Sequence, residues 1–124
     1  MNPDLIKSYD TGAAVTARRI VKFDAADGVV IHGAAATDSL IGITGQLDAA
    51  SGDRIDVTRT GIALVEYGGN VTRGDKLTSD ANGKAVTAAP STGANVQIIG
   101  IAEVSGVDGD IGQCLISPST MQGA

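Results

Sequence analysis

A chain of 124 residues with a net charge of −5 has the length of one domain and can bury one core without metal or disulfide help. Nine Lys and Arg against fourteen Asp and Glu give no basic footprint for displacing counterions from phosphates, which excludes nucleic acid as a partner. One cysteine, Cys114, and one histidine, His32, exclude an intramolecular disulfide and a Cys/His zinc cluster.

Apolar residues make up 43% of the chain, but there is no Trp, one Phe and two Tyr, so the core must be built from Ala, Val, Ile and Leu in thin layers. The opening MNPDLIKSYD has no apolar signal core, and no apolar run approaches the ~18 residues that span a bilayer. The reading is a soluble protein made in a reducing cytoplasm, with no membrane partner.

Met1–Gly12 shows no strand pattern that another segment matches, and is read as mobile in the isolated chain. From there on, short apolar runs recur between Gly, Asp, Asn and Ser, and helical periodicity is nearly absent, which is the all-β pattern. The expected strands are Arg18–Asp24, Val29–Gly33, Leu40–Thr44, Arg54–Arg59, Ile62–Tyr67, Lys76–Ser79, Lys84–Ala88, Val96–Val104 and Gln113–Ser117. The pair Arg18-Arg19 is placed on a solvated strand face. In RIDVTR, Ile55 and Val57 point one way while Arg54, Asp56 and Thr58 point the other. Ala34–Ser39 and Ala88–Ala94 are read as loops or single helical turns.

Between Gly68 and Pro90 turn formers crowd together. Gly74-Asp75 turns the chain, and Asn82-Gly83 is the strongest short hairpin signal because both residues tolerate positive φ. Val71, Leu77 and Val86 are the expected inward anchors.

Two stretches repeat one another. LIGITGQLDAASGDRIDV opens at Leu40 and IIGIAEVSGVDGDIGQCLI at Ile98, each reading apolar-apolar-Gly-Ile, polar loop, Gly-Asp, strand. Gly42 and Gly100, inside the first strand of each copy, predict a bulge or a close backbone approach. Two copies of strand–loop–strand predict pseudo-symmetric halves of one barrel or sandwich.

The chemistry these residues could support is thin. A Ser–His or Cys–His system would have to use His32, whose strand context reads as a locally satisfied side chain, while Cys114 in QCLI reads as a small buried hydrophobe. Asp108 and Asp110 lack the spacing of a calcium loop, and GVDGDIG leads into a strand, without the helix N-terminus that holds phosphate. Arg73-Gly74-Asp75 reads as a turn, not an adhesion motif. NVTRGDKL has the rhythm of lipoyl and biotinyl carrier barrels, which would make Lys84 the attachment lysine, with Lys76 as the alternative. The residues flanking Lys84 do not match those barrels.

Taken in order, ARRIVKF, LIGIT…GDRIDV, GIALVEYGGNVTRGDKLTSDANGKAV, IIGIAEV…GDIG and a terminal strand give a chain that resembles the small capsid decoration, or cement, proteins of tailed bacteriophages. The resemblance implies a β-rich fold, no catalysis, no cofactor and attachment outside the shell of major capsid protein, after synthesis in the bacterial host cytoplasm. It also implies self-association, with a homotrimer favoured over a dimer.

On this reading the chain is one all-β barrel- or sandwich-like domain over residues 13–117. An N-terminal arm, Met1–Gly12, reaches a neighbour through Leu5, Ile6 and Tyr9, and residues 118–124 form a flexible tail. The alternatives are the carrier module and a fibre or baseplate subunit of the same virion.

Overall fold

A computed structural model describes residues 5–123. Nine strands occur in chain order: β1 Leu5–Thr11, β2 Ile20–Phe23, β3 Val29–His32, β4 Leu40–Thr44, β5 Arg54–Glu66, β6 Lys76–Ser79, β7 Ala85–Thr87, β8 Asn95–Ala102 and β9 Ile111–Gln122. Among the described residues there is no helix, and Ala34–Ser39 and Ala88–Ala94 are loops.

The strands form one continuous sheet in the order β1-β3-β2-β4-β5-β9-β8-β6-β7, and β1 also pairs antiparallel with β5. That extra pairing closes β1, β3, β2, β4 and the first half of β5 into a five-stranded barrel, removing the free edges an open sheet would carry. The second half of β5 continues into β9, β8, β6 and β7, and a parallel bridge from Tyr67 to Ala85 closes a second barrel. The two barrels therefore share β5.

The barrels are copies in their hydrogen bonds as well as their order. Thr11 donates to the carbonyl of Asp53 as Tyr67 donates to that of Asp110, and Gly52 donates to the carbonyl of Thr11 as Gly109 donates to that of Tyr67. The isolated antiparallel bridges Val15–Ala49 and Val71–Gly106 match as well. The two-unit repeat read from Leu40 and Ile98 is thus the later part of a larger duplication.

Gly42 and Gly100 occupy equivalent places. A Cβ on Gly42 would lie 2.4 Å from the carbonyl oxygen of Thr58, and one on Gly100 would lie 2.0 Å from that of Leu115. Only a residue without a side chain lets these strands pass so closely.

The core follows from this arrangement. Tyr9, Val15, Val21, Val30, Ile41, Ile55 and Val57 fill the first barrel. A second cluster fills the other barrel with Val65, Tyr67, Leu77, Ala85, Ile99 and Cys114, and reaches back to Ile20, Leu40 and Ile43 of the first. Strand β4 is buried along its whole length because Ile41 points into its own barrel while Leu40 and Ile43 point into the seam. The seam makes the two barrels one body.

Several expectations change. Leu5–Thr11 is a strand on this chain's own sheet, so the free N-terminal arm is not what the structure shows; Met1–Asp4 lie outside the described residues. Tyr9 and Thr11 point inward while Ser8 and Asp10 point out, and burying Tyr9 holds the strand down. The stretch read as a flexible tail continues β9 to Gln122, paired to Asn95–Ile98 of β8, with a register shift where Pro118 lacks an N–H. Ala124 lies outside the described residues. Arg54–Arg59 and Ile62–Tyr67 are one strand, which bends at Gly61 with φ of +94° as it passes between barrels.

Val71 and Leu77 are buried as anchors, but Ala85 takes the core position expected for Val86. Val86 is half-buried over Gly68, a one-residue difference that exchanges the faces of β7.

Candidate interaction surface

The turn residues shape the surface. Gly74 has φ of +92°, and the carboxylate of Asp75 accepts hydrogen bonds from the Thr72 amide at 2.9 Å and the Thr87 hydroxyl at 3.0 Å. The Arg73 amide donates to the Ser105 hydroxyl at 2.9 Å. Asp75 is thus engaged within the fold.

At Asn82-Gly83 only Gly83 has positive φ, +77°. The turn is therefore not the two-residue type that needs positive φ at both positions. Asp80 makes the difference: its Oδ1 accepts from the Asn82 and Lys84 amides, at 2.8 and 2.9 Å, and supports a longer loop. Gly83 then lies against the first barrel, where Ile20 donates to its carbonyl at 2.7 Å.

That contact belongs to a polar junction between barrels. Arg19 donates to Glu66 at 3.1 Å and to the Asn82 carbonyl at 3.0 Å, and Lys84 pairs with the other Glu66 oxygen at 3.2 Å. Arg19 is consequently mostly buried, not on a solvated strand face. Burial pushes the Glu66 carboxyl up, but the hydrogen bonds from Lys84 and Arg19 outweigh it and hold its pKa below the usual value. Lys84 lies in the turn between β6 and β7, but its ammonium is held in this junction by Glu66, so it is not presented freely as a carrier lysine would be.

His32 accepts the Thr16 amide at Nε2, 2.9 Å away. Burial, and then the charge of Arg19, hold its pKa below 6.5. The unfolded chain therefore takes up a proton at higher pH than the folded one, so this contribution to stability is intact above 6.5 and is lost as pH falls toward the folded value. Glu66 and Asp38, both depressed, add losses only below the ordinary carboxylate range. Thermal melts should show a decline in the wild type just below pH 6.5 that His32→Gln loses, and a second decline at lower pH that both keep. An unchanged upper decline would assign it to another group.

Cys114 is buried in the second barrel, and burial pushes its thiol up to about 12, so it is no nucleophile. Asp110 accepts the Val107 amide at 3.0 Å within its turn, and Asp108 is exposed and lies 4.0 Å from Lys84. No group of three potential metal ligands occurs among the described residues. No helix there is long and apolar enough to cross a membrane.

The exposed surface is where apolar side chains gather. Leu5 and Ile6 stand 57% and 56% exposed at the start of β1, whereas Tyr9, expected beside them as a contact, is 2% exposed. Its ring packs edge-on to Phe23 at 6.0 Å, and Arg59 donates to its hydroxyl at 2.5 Å. Ile62, Leu64, Ile111 and Leu115 are exposed on β5 and β9, a face the sequence reading did not single out. Ile62 and Leu64 alternate with Ala63 and Val65, so the signal was present. It was obscured because both faces of the strand are apolar and periodicity alone does not say which is buried.

The described residues thus form a doubled β-barrel with apolar side chains on its surface. The chain belongs to the phage cement protein family, whose model matches residues 4–110. Among solved structures, it is similar in fold to the N base of the head fibre gp8.5 of bacteriophage phi29. The TM-score is 0.69, with 23% identity over 93% of this chain and 95% of that one. A comparison with curated protein sequences gave no match. Cement proteins are virion structural proteins, and the chain, as a member of that family, is a structural component of a phage particle, associated with its capsid.

Proposed function

We propose that this protein decorates the outer face of a phage head, binds the major capsid protein and bridges neighbouring subunits without catalysing a reaction. The family match over residues 4–110 carries the reading. The fold supports it: a clamp must hold shape under load, and a body closed into two barrels about a shared strand has few free edges. The negative net charge suits a protein that stays soluble at high copy number. Leu5 and Ile6 remain candidate contacts from the start of β1, presented by the sheet and not by a loose arm. Self-association, as a trimer by preference, would let several copies grip several capsid subunits, and the resulting avidity exceeds single-site affinity by about 10²–10⁴.

The likeness to a head-fibre base favours a second reading, in which the barrels are the foot of a projecting fibre. Heads lacking the protein should disrupt at lower temperature than complete heads, and adding it back should restore the midpoint in proportion to occupancy. No binding to such heads at saturating protein would overturn the decoration reading. Density projecting away from the head, with no bridge between capsid subunits, would favour the fibre foot.

A further inference from the structure

The duplicated fold supplies its own control for what the outer face requires. Across β1 and β5 the opposed pairs are Ile6–Thr58, Ser8–Asp56 and Asp10–Arg54; the equivalent pairs across β5 and β9 are Ile62–Leu115, Leu64–Gln113 and Glu66–Ile111. In the first barrel this face keeps Ile6, the counterpart of Ile62, but is otherwise polar: Ser8 donates to Asp56 at 2.7 Å, and Arg54 pairs with Asp10 at 3.0 Å. In the second, Ile62, Leu64, Leu115 and Ile111 stand there, each more than a third exposed. The barrel folds with Ser8, Thr58 and Arg54 where the second has Leu64, Leu115 and Ile111, so these three apolar replacements answer to something outside the chain.

Arg18 borders the same face. It is the one non-glycine with positive φ among the described residues, +57°, at the position where the second barrel has Gly74. A left-handed backbone disfavours a side chain there. The Nε of both Arg18 and Arg19 is buried without a hydrogen-bond partner, but Arg19 pairs with Glu66, whereas the Arg18 guanidinium makes no ion pair among the described residues. It lies in a groove of about 130 Å³ whose wall includes Thr44, Thr58 and Leu64, so the groove opens beside the apolar face. A buried guanidinium nitrogen with no acceptor is stabilised by a carboxylate, which takes its N–H groups in pairs.

We propose that this face, Ile62, Leu64, Leu115 and Ile111 with Arg18 at its edge, docks on the capsid through a segment of the major capsid protein that carries a carboxylate beside apolar side chains. The proposal deepens the decoration reading and rests on it. The apolar side chains supply the buried area, and the carboxylate reaching Arg18 fixes the register.

The test is co-sedimentation with purified heads stripped of the protein, over a range of protein concentration and salt. Leu64→Ser with Leu115→Thr gives the second barrel the residues that Ser8 and Thr58 supply in the first; Arg18→Gly gives the first barrel the glycine of the second. Each variant should bind heads about tenfold more weakly or worse. Arg18→Gly should melt no lower than the wild type, so its loss of binding is not a loss of folding, and Arg18→Lys should recover binding only in part.

Wild-type binding with both variants unimpaired would overturn the proposal and leave the decoration reading standing. Failure of the wild type to bind heads would overturn both. Variants that lose self-association in sedimentation velocity while still saturating heads would make a second copy the occupant and overturn the proposal as stated.

Discussion

Gly100→Ala should lower stability by about 3 kcal/mol and the melting midpoint by about 10 °C. The added Cβ would lie 2.0 Å from the carbonyl oxygen of Leu115 and 2.9 Å from the Sγ of Cys114. The first neighbour is backbone, so no rotamer change relieves the contact; β8 and β9 must part, and Gly100–Ile116 and Ile101–Leu115 are paired there. The same substitution at Gly42 meets the Thr58 carbonyl oxygen at 2.4 Å and should cost a similar amount, because it is the equivalent crossing in the other barrel. Gly45→Ala is the control: nothing lies within 4 Å of its added Cβ and its φ is not positive. It should be near neutral or slightly stabilising through the unfolded chain. Urea unfolding of the three variants checks this. A Gly100→Ala midpoint equal to that of Gly45→Ala would mean the strands do not cross so closely.

Removing residues 1–11 should abolish cooperative unfolding of the first barrel. Strand β1 closes that barrel by pairing with β5 from Leu5 to Asp10 and with β3 at Asp10 and Thr11. Without it, Val30, Ile55 and Val57 lose their cover and one edge of β5 is left unpaired. Tyr9→Ala is the milder form of the experiment. It removes the largest side chain of that cluster, and its expected cost is about 3–5 kcal/mol, as for other large aromatic truncations. Circular dichroism and denaturant titration of both variants would settle the role of the segment. A deletion variant with the wild-type midpoint would show that β1 is an accessory and return the segment to the role of an arm.

How much of this was legible in the sequence depends on the kind of question. Leu40–Thr44 and Lys76–Ser79 were placed to the residue, because apolar β-formers there are bounded by turn residues. Strand β1 was missed although Tyr9 and Thr11 alternate with Ser8 and Asp10. Carrying the repeat one strand further back would have matched Leu5–Thr11 to the second half of β5. Of the face formed by Ile62, Leu64, Ile111 and Leu115, the sequence held the residues but not their exposure.

By itself the sequence determined the class: an all-β chain from period-two patterning and turn chemistry, two related units from the recurrence of Gly42 at Gly100, and family membership from the order of its strands. These are local or repeating properties, and local propensity and spacing carry them. Only the tertiary structure decided that Gly61 bends a continuous strand instead of breaking it. It alone also decided that Tyr9 is core while Ile6 is surface, that Arg19 and Lys84 meet at Glu66 between the barrels, and that the buried Arg18 Nε has no hydrogen-bond partner. Each depends on which strand lies beside which, and in a closed barrel those neighbours are set by pairings between residues far apart in the chain, such as Tyr9 with Ile55.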